Sequence, residues 1–196
     1  MKRDGLIPDI ERSAERDAAI RATLPHVPAL GWTRTALEAG LRDLGEPPEA
    51  GEWLFPTGPL GVLEAWCDLA DRDMAAEGTV EGLRVPQRIR SLLATRLRQA
   101  TPHKEALRRA VAAMALPWNA RLAARTAART ADAVWRAAGD KSENLSWYTR
   151  RATLLALYGS VLAYWLRDDS PGSEATLEVL DRQLARLGRL QRRHGT

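Results

Sequence analysis

Between Ala152 and Leu166, fifteen consecutive residues carry no charge, directly behind the arginine pair Arg150–Arg151. A run this apolar leaves water for one of three environments: a bilayer, a protein core, or the wall of an apolar site. A helix needs roughly 20 apolar residues to cross the hydrocarbon layer, so this run is too short to span it. Wound at about 100° per residue, it separates into two stripes. Trp147, Arg151, Leu154, Tyr158, Leu162 and Trp165 form a bulky one. Ala152, Ala156, Gly159 and Ala163 form a small one, open to the close approach of another helix backbone. A helix apolar on two faces is expected to be central, buried on both sides.

The rest of the chain reads as helices too. Glycine and proline fall between apolar periodic segments, and alternating or β-branched runs are nearly absent, so the expected fold class is all-α. About nine helices are expected. The first covers Ile10 to Leu24 and ends at "LPHVP", where Pro25 and Pro28 forbid continuation. Thr33 caps the second and Gly45 ends it. A short third lies in "EPPEAGEWLFP", and a fourth runs from Pro59 to Glu77. Pro86 opens the fifth, Thr101 caps the sixth, and the seventh stops at Gly139. The uncharged run is the eighth, and the ninth runs from Ser173 to Arg193. Three short helices ahead of longer ones suggest a small head, residues 10–57, on a larger bundle, residues 58–193.

The seventh helix pairs a small stripe (Ala123, Ala127, Thr130, Ala131, Val134, Ala138) with an arginine stripe (Arg121, Arg125, Arg129). Small walls facing long apolar side chains allow either tight packing or a lengthwise cavity. In the ninth, Leu177, Leu180, Leu184 and Leu187 oppose Arg182, Arg186, Arg189 and Arg193. Acidic residues early and basic residues late suit the helix dipole. The same pattern suits packing, a dimer contact, or a helix lying in a membrane surface.

Charge and chemistry narrow the function. Arginine supplies 26 of the 29 basic residues, and the net charge is +4. That leaves nucleic acid and anionic membranes open as partners. The single Cys67 excludes an internal disulfide, and His26, His103 and His194 lack metal-ligand spacing. The opening "MKRDGLIPDIERSAERD" has no apolar stretch, so no secretory signal is expected. The expected setting is a reducing compartment, cytoplasmic and peripheral to the inner face of a membrane. No catalytic motif stands out, which favours a binding protein over an enzyme, with no metal or cofactor expected. A three-helix head invites comparison with a DNA reader. Its reading segment, however, carries Glu46, Glu49 and Glu52 and no basic residue, which would repel phosphates. Nucleic acid is therefore not an expected partner.

Three stretches carry a resemblance: "LPHVPALGWTRTALEAGLRDLG…EWLFPTGPLGVLEAW", "PHKEALRRAVAAMALPWNARLA" and "VWRAAGDKSENLSWYTRRATLLALYGSVLAYWLRDDSPG". The chain resembles the Coq nine family, the lipid-binding accessory proteins of coenzyme Q biosynthesis, from about Arg16 to Leu187. The register is tightest from Ala138 to Asp169. The resemblance implies a TetR-like fold, a homodimer, and no transcription-factor activity. It also implies binding of an isoprenoid lipid or quinone intermediate in the bundle, presentation of that cargo to the demethoxyubiquinone hydroxylase of the pathway, and contact of the last helix with the membrane surface. Carried onto this chain, the lipid-lining set is Leu116, Ala127, Ala131, Val134, Trp135, Leu154, Tyr158, Leu162 and Trp165. The partner-facing set is Trp118, Asn119, Asp140, Trp147, Tyr148 and Arg150. The membrane-facing set is Leu180, Leu184 and Leu187 with Arg182, Arg186 and Arg189. One departure stands out: Glu143, Asn144, Leu145 and Ser146 replace the usual Thr-Asp-Phe-Asn before the Trp-Tyr pair. Two rival readings stay open, a TetR-type ligand-responsive regulator and a helical adaptor without a ligand.

Overall fold

The computed structural model describes residues 10–140 and 146–193, without the side chains of 146, 147 and 190–193. These residues form ten α-helices and no strand. They are α1 (Ala14–Thr23), α2 (Val27–Leu30), α3 (Arg34–Asp43), α4 (Ala50–Leu54), α5 (Pro59–Glu77), α6 (Val85–Ala100), α7 (Lys104–Met114), α8 (Ala120–Ala137), α9 (Ser146–Trp165) and α10 (Glu174–Arg193). The all-α expectation holds, and the helix expected to be the ninth is α10.

The extra helix comes from the proline-rich stretch. Pro25 and Pro28 do not end the helical path. Each opens a new turn, a 3₁₀ turn over Leu24–His26 and then α2, where a missing N–H has no intrahelical partner to lose. Two other boundaries move. Helix α1 begins at Ala14, not Ile10, because the Ser13 hydroxyl accepts from the Arg16 N–H at 3.2 Å and sets the cap there. Thr101 does not cap α7. Its hydroxyl donates back to the Leu97 carbonyl at 3.0 Å, finishing α6, and α7 starts at Lys104. Thr33 caps α3 as its sequence position predicts, accepting from Ala36 N–H at 3.2 Å.

The packing divides the chain into two compact units: residues up to Ala70 with Pro102–Ala127, and Asp71–Thr101 with residues from Ala128 onward. Helices α5 and α8 each contribute to both. The first unit is built on Ile20, Leu37, Leu41, Phe55, Leu63 and Trp66, and Trp32 stacks on Trp66 at 5.0 Å between ring centroids. Helix α7 belongs here: the Trp32 indole donates to the Ala106 carbonyl at 3.0 Å. Gly40 of α3 lies so close to α1 that a Cβ would come within 2.6 Å of the Thr23 backbone nitrogen. The second unit buries Leu92 and Leu93 of α6, Val134 of α8, Leu154, Leu157, Val161 and Trp165 of α9, and Leu180 of α10.

Helix α9 differs from its expected placement. Of its bulky stripe, Arg151, Leu154 and Trp165 are buried and Tyr158 and Leu162 half-buried, but Ala152, Ala156, Gly159 and Ala163 are exposed, and a Cβ on Gly159 would meet nothing within 4 Å. The small stripe is not covered by the described residues. A helical wheel reports which faces are apolar, but not whether the chain itself has a second helix to lay on each.

Candidate functional site

The expected lipid-lining residues fall into both units. Leu116 and Ala127 lie in the first, the remaining seven in the second. Ala131, Val134, Leu154 and Trp165 are buried, while Trp135, Tyr158 and Leu162 are half-buried. Leu116 is exposed. Three of the aromatics are tied by polar bonds. The Trp165 indole donates to Ser173 Oγ at 3.0 Å, and the Trp135 indole to the Arg150 carbonyl at 3.3 Å. Tyr158 Oη accepts from Arg96 Nε–H at 3.1 Å.

That last bond opens onto a cluster not anticipated from the sequence. Arg96 of α6 sits 2.5 Å from Asp71 of α5, a charge contact not aligned as a hydrogen bond, and the Thr130 hydroxyl of α8 donates to Asp71 at 3.0 Å. Both charged side chains are about nine-tenths buried. In sequence, Arg96 looks like its solvent-facing neighbours Arg90 and Arg98, and only the fold distinguishes it.

The expected partner-facing residues also separate. The Pro117–Asn119 turn pushes Trp118 out to 76% exposure with Leu116 beside it at 39%. Asn119 points inward and donates to the Ala113 carbonyl at 2.8 Å, which fixes the turn that presents Trp118. In the second unit, Tyr148 is 56% exposed at the start of α9, and Arg150 is partly exposed. The Trp147 side chain lies outside the described residues, as does the substituted stretch before it. The Asp140 side chain is buried: Arg150 reaches it at 3.0 Å and Arg151 at 3.5 Å, and Arg151 also holds Asp132 at 2.7 Å. Asp140 thus anchors α9 to the end of α8. Gly139, at φ +84°, makes the turn that brings it there.

On α10 the expected membrane residues split by burial. Leu180 is fully buried, Leu184 and Leu187 are half-buried, and Arg182, Arg186 and Arg189 are exposed. The helix is fastened to α6 by Arg90, whose guanidinium grips Asp181 at 2.5 and 3.0 Å and has its pKa raised by that partner. Its N-terminus is capped from the "DDSPG" turn. Asp168 accepts from the Thr176 N–H and Ser170 N–H at 2.9 Å each, and Ser170 Oγ accepts from Ala175 N–H at 3.2 Å. Hydrogen bonds from Ser170, then Thr176, hold the Asp168 carboxyl far below the usual carboxylate range. Among the described residues no group of three or more His, Cys, Asp or Glu is placed to hold a metal ion, and no helix is long and apolar enough to cross a membrane.

The chain is similar to known proteins. Residues 120–191 match the family model described as COQ9. The human mitochondrial ubiquinone biosynthesis protein COQ9 is 30% identical over 174 residues, 84% of this chain and 55% of its own length. The fission yeast protein, from Schizosaccharomyces pombe, is 28% identical over 175 residues, 88% of this chain and 69% of its own. The chain thus spans little more than half of the human protein. Among solved structures, a TetR transcriptional regulator from Nitrosomonas europaea superposes with a TM-score of 0.70 at 22% identity, over 88% of this chain and 97% of that one. At that identity the likeness speaks for the fold, which is TetR-like.

Proposed function

We propose that this chain, similar to the COQ9 proteins, is of their family and serves ubiquinone biosynthesis without catalysing a step of it. It binds an isoprenoid lipid or quinone intermediate in the helical bundle and offers it to the hydroxylase acting on demethoxyubiquinone. The observation that carries this reading is the match to COQ9 proteins of ubiquinone biosynthesis across 84% of the chain. The geometry supports it in three ways. Trp118 and Leu116 form an exposed apolar knuckle, and Tyr148 with Arg150 a second, as aromatic and arginine anchors for a protein partner do. The uncovered small stripe of α9 suits a second copy of the chain, giving a homodimer. The exposed arginines of α10 suit an anionic bilayer surface, which in this reading is the inner face of the membrane that holds the quinone. In this reading residues 10–57 are a head no longer used on DNA, and residues 58–193 hold cargo and dimer contacts.

The physical need is plain. Each CH₂ of a polyisoprenoid tail is held by the bilayer with about 0.8 kcal/mol, so lifting the ring to a soluble enzyme face requires a replacement apolar surface. Organic extraction of the purified protein, followed by mass spectrometry, is expected to recover quinones or other isoprenoids in stoichiometric amount. Repeated extraction of none would refute the reading.

The TetR-like fold also favours a DNA-binding regulator as a second reading. Glu46, Glu49 and Glu52 are all exposed, and Arg34 is engaged by Glu38 and Glu52, which leaves the head's surface acidic. A gel shift on genomic fragments is expected to show no specific complex.

A further inference from the structure

The cluster around Tyr158 brings two opposite charges and two hydroxyls from four helices together among leucines and valines. A buried ion pair of this kind adds little to stability, because desolvating the charges cancels most of their attraction. Its geometry suits recognition better. Asp71, held by Thr130, fixes and neutralises the Arg96 guanidinium from one side. On the other side Arg96 Nε–H points at an oxygen carried by a six-membered ring, the phenol of Tyr158, whose centroid lies 6.0 Å from the guanidinium carbon. Leu154 and Leu162 lie one helical turn on either side of Tyr158, and Val134 one turn from Thr130, so apolar side chains flank the polar point along the helices. The arrangement is that of a site for an amphiphile with an oxygen-bearing ring and a hydrocarbon tail, in which the chain's own tyrosine occupies the ring position.

Resting on the lipid-carrier reading, we propose that Arg96, braced by Asp71 and Thr130, is the recognition point for the cargo's ring, a phenol, hydroquinone or quinone, and that Tyr158 is the group the ring displaces. On entry, Tyr158 turns aside, and a ring oxygen of the cargo accepts from Arg96 Nε–H in its place. Arg96 then selects for the ring, while the flanking leucines and valine take any tail.

The test compares two probes by equilibrium dialysis against the full chain: a short-tailed ubiquinone analogue and a tail-matched alkylbenzene without ring oxygens. The wild-type protein is expected to prefer the quinone by about tenfold, the worth of one charged hydrogen bond. Tyr158→Phe removes the competing oxygen and is expected to raise quinone affinity about threefold, widening the preference to about thirtyfold. An unchanged or lowered affinity would overturn the displacement. The double variant Asp71→Asn with Arg96→Gln removes both charges together and is expected to bind the two probes within about twofold of each other. If the double variant does not fold, Arg96→Lys carries the test: it keeps the charge beside Asp71 but loses the Nε–H, and the preference should fall at least about fivefold. A preference that survives either substitution overturns the assignment. Equal binding of both probes by wild-type protein would remove only this assignment. Binding of neither would remove the lipid-carrier reading with it.

Discussion

Substitutions at Gly159 separate what α9 does for its own chain from what it does for a second one. Gly159 sits inside a helix, and a Cβ added there meets nothing within 4 Å. Gly159→Ala therefore costs no packing and gains helix propensity, about 1 kcal/mol. For a chain of this size that raises the unfolding midpoint by about 2–4 °C. Gly159→Phe is close to neutral for the isolated chain for the same reason. If the stripe of Ala152, Ala156, Gly159 and Ala163 takes the backbone of a second copy, the phenyl ring holds that copy off. Overpacking costs about 1–3 kcal/mol per site, and a two-fold interface contains the site twice. The dimer dissociation constant should then rise by at least about thirtyfold. Sedimentation equilibrium over a concentration series reads the association. Urea melts at concentrations below dimerisation read the chain alone. Unchanged association in Gly159→Phe would refute the assignment of this stripe to the dimer. Destabilisation of the dilute chain by Gly159→Ala would refute the reading of the face as uncovered.

Gly40→Ala should act in the opposite sense, since its Cβ would lie 2.6–2.8 Å from the backbone of Ala22 and Thr23. A loss of about 1–3 kcal/mol in urea melts is expected, and a neutral result would mean α1 and α3 do not pack as described. Asp168→Asn should weaken the cap of α10 by about 0.5–1 kcal/mol, discounted for solvent screening. Because the folded carboxyl is held below its unfolded value, its contribution is present above about pH 4 and lost as pH falls from there toward the folded pKa. The variant's stability should therefore fall less steeply between pH 4 and pH 2, and an identical acid limb would count against the cap. Trp118→Ala should leave the unfolding midpoint within about 0.5 kcal/mol of wild type, as exposed positions do. On the proposed function it should also weaken capture of the hydroxylase on an affinity surface by tenfold or more. Equal capture would take Trp118 out of the interface.

What could be read from sequence was what is decided locally. Thr33, Gly45, Pro86 and Gly139 act within a turn of themselves, and the helix ends they mark are where the sequence places them. "LPHVP" misled because proline at the first positions of a turn and proline as a stop look alike until the preceding residues' conformation is known. Thr101 misled because one hydroxyl can serve the helix before it or the helix after it. The buried charges were out of reach for a deeper reason. Arg151 and Arg96 are neutralised by Asp132, Asp140 and Asp71, 11 to 25 residues away, on other helices or, for Asp140, just past the end of α8. Nothing in an arginine's own neighbourhood distinguishes such a residue from one facing water. The uncovered stripe of α9 was misplaced on the same ground, since burial belongs to the assembly and not to the helix.

The segment on which the resemblance is read in tightest register, Ala138 to Asp169, contains residues that hold helices together. Asp140 receives Arg150 and Arg151, Trp165 reaches Ser173, and Asp168 caps α10. Each joins a helix end to its neighbour, and each constrains residue identity tightly because a buried charge or indole left without its partner is costly. An exposed residue such as Trp118 carries no such constraint from the fold. A related chain could keep every one of the joining residues, and so the family signature, while its partner surface changed. Substitutions at Asp140 or Trp165 would lower partner capture simply by loosening α9 and α10. Function is therefore better tested at exposed residues whose loss leaves the unfolding midpoint unmoved, and by that criterion Trp118 is more informative than the residues that join the helices.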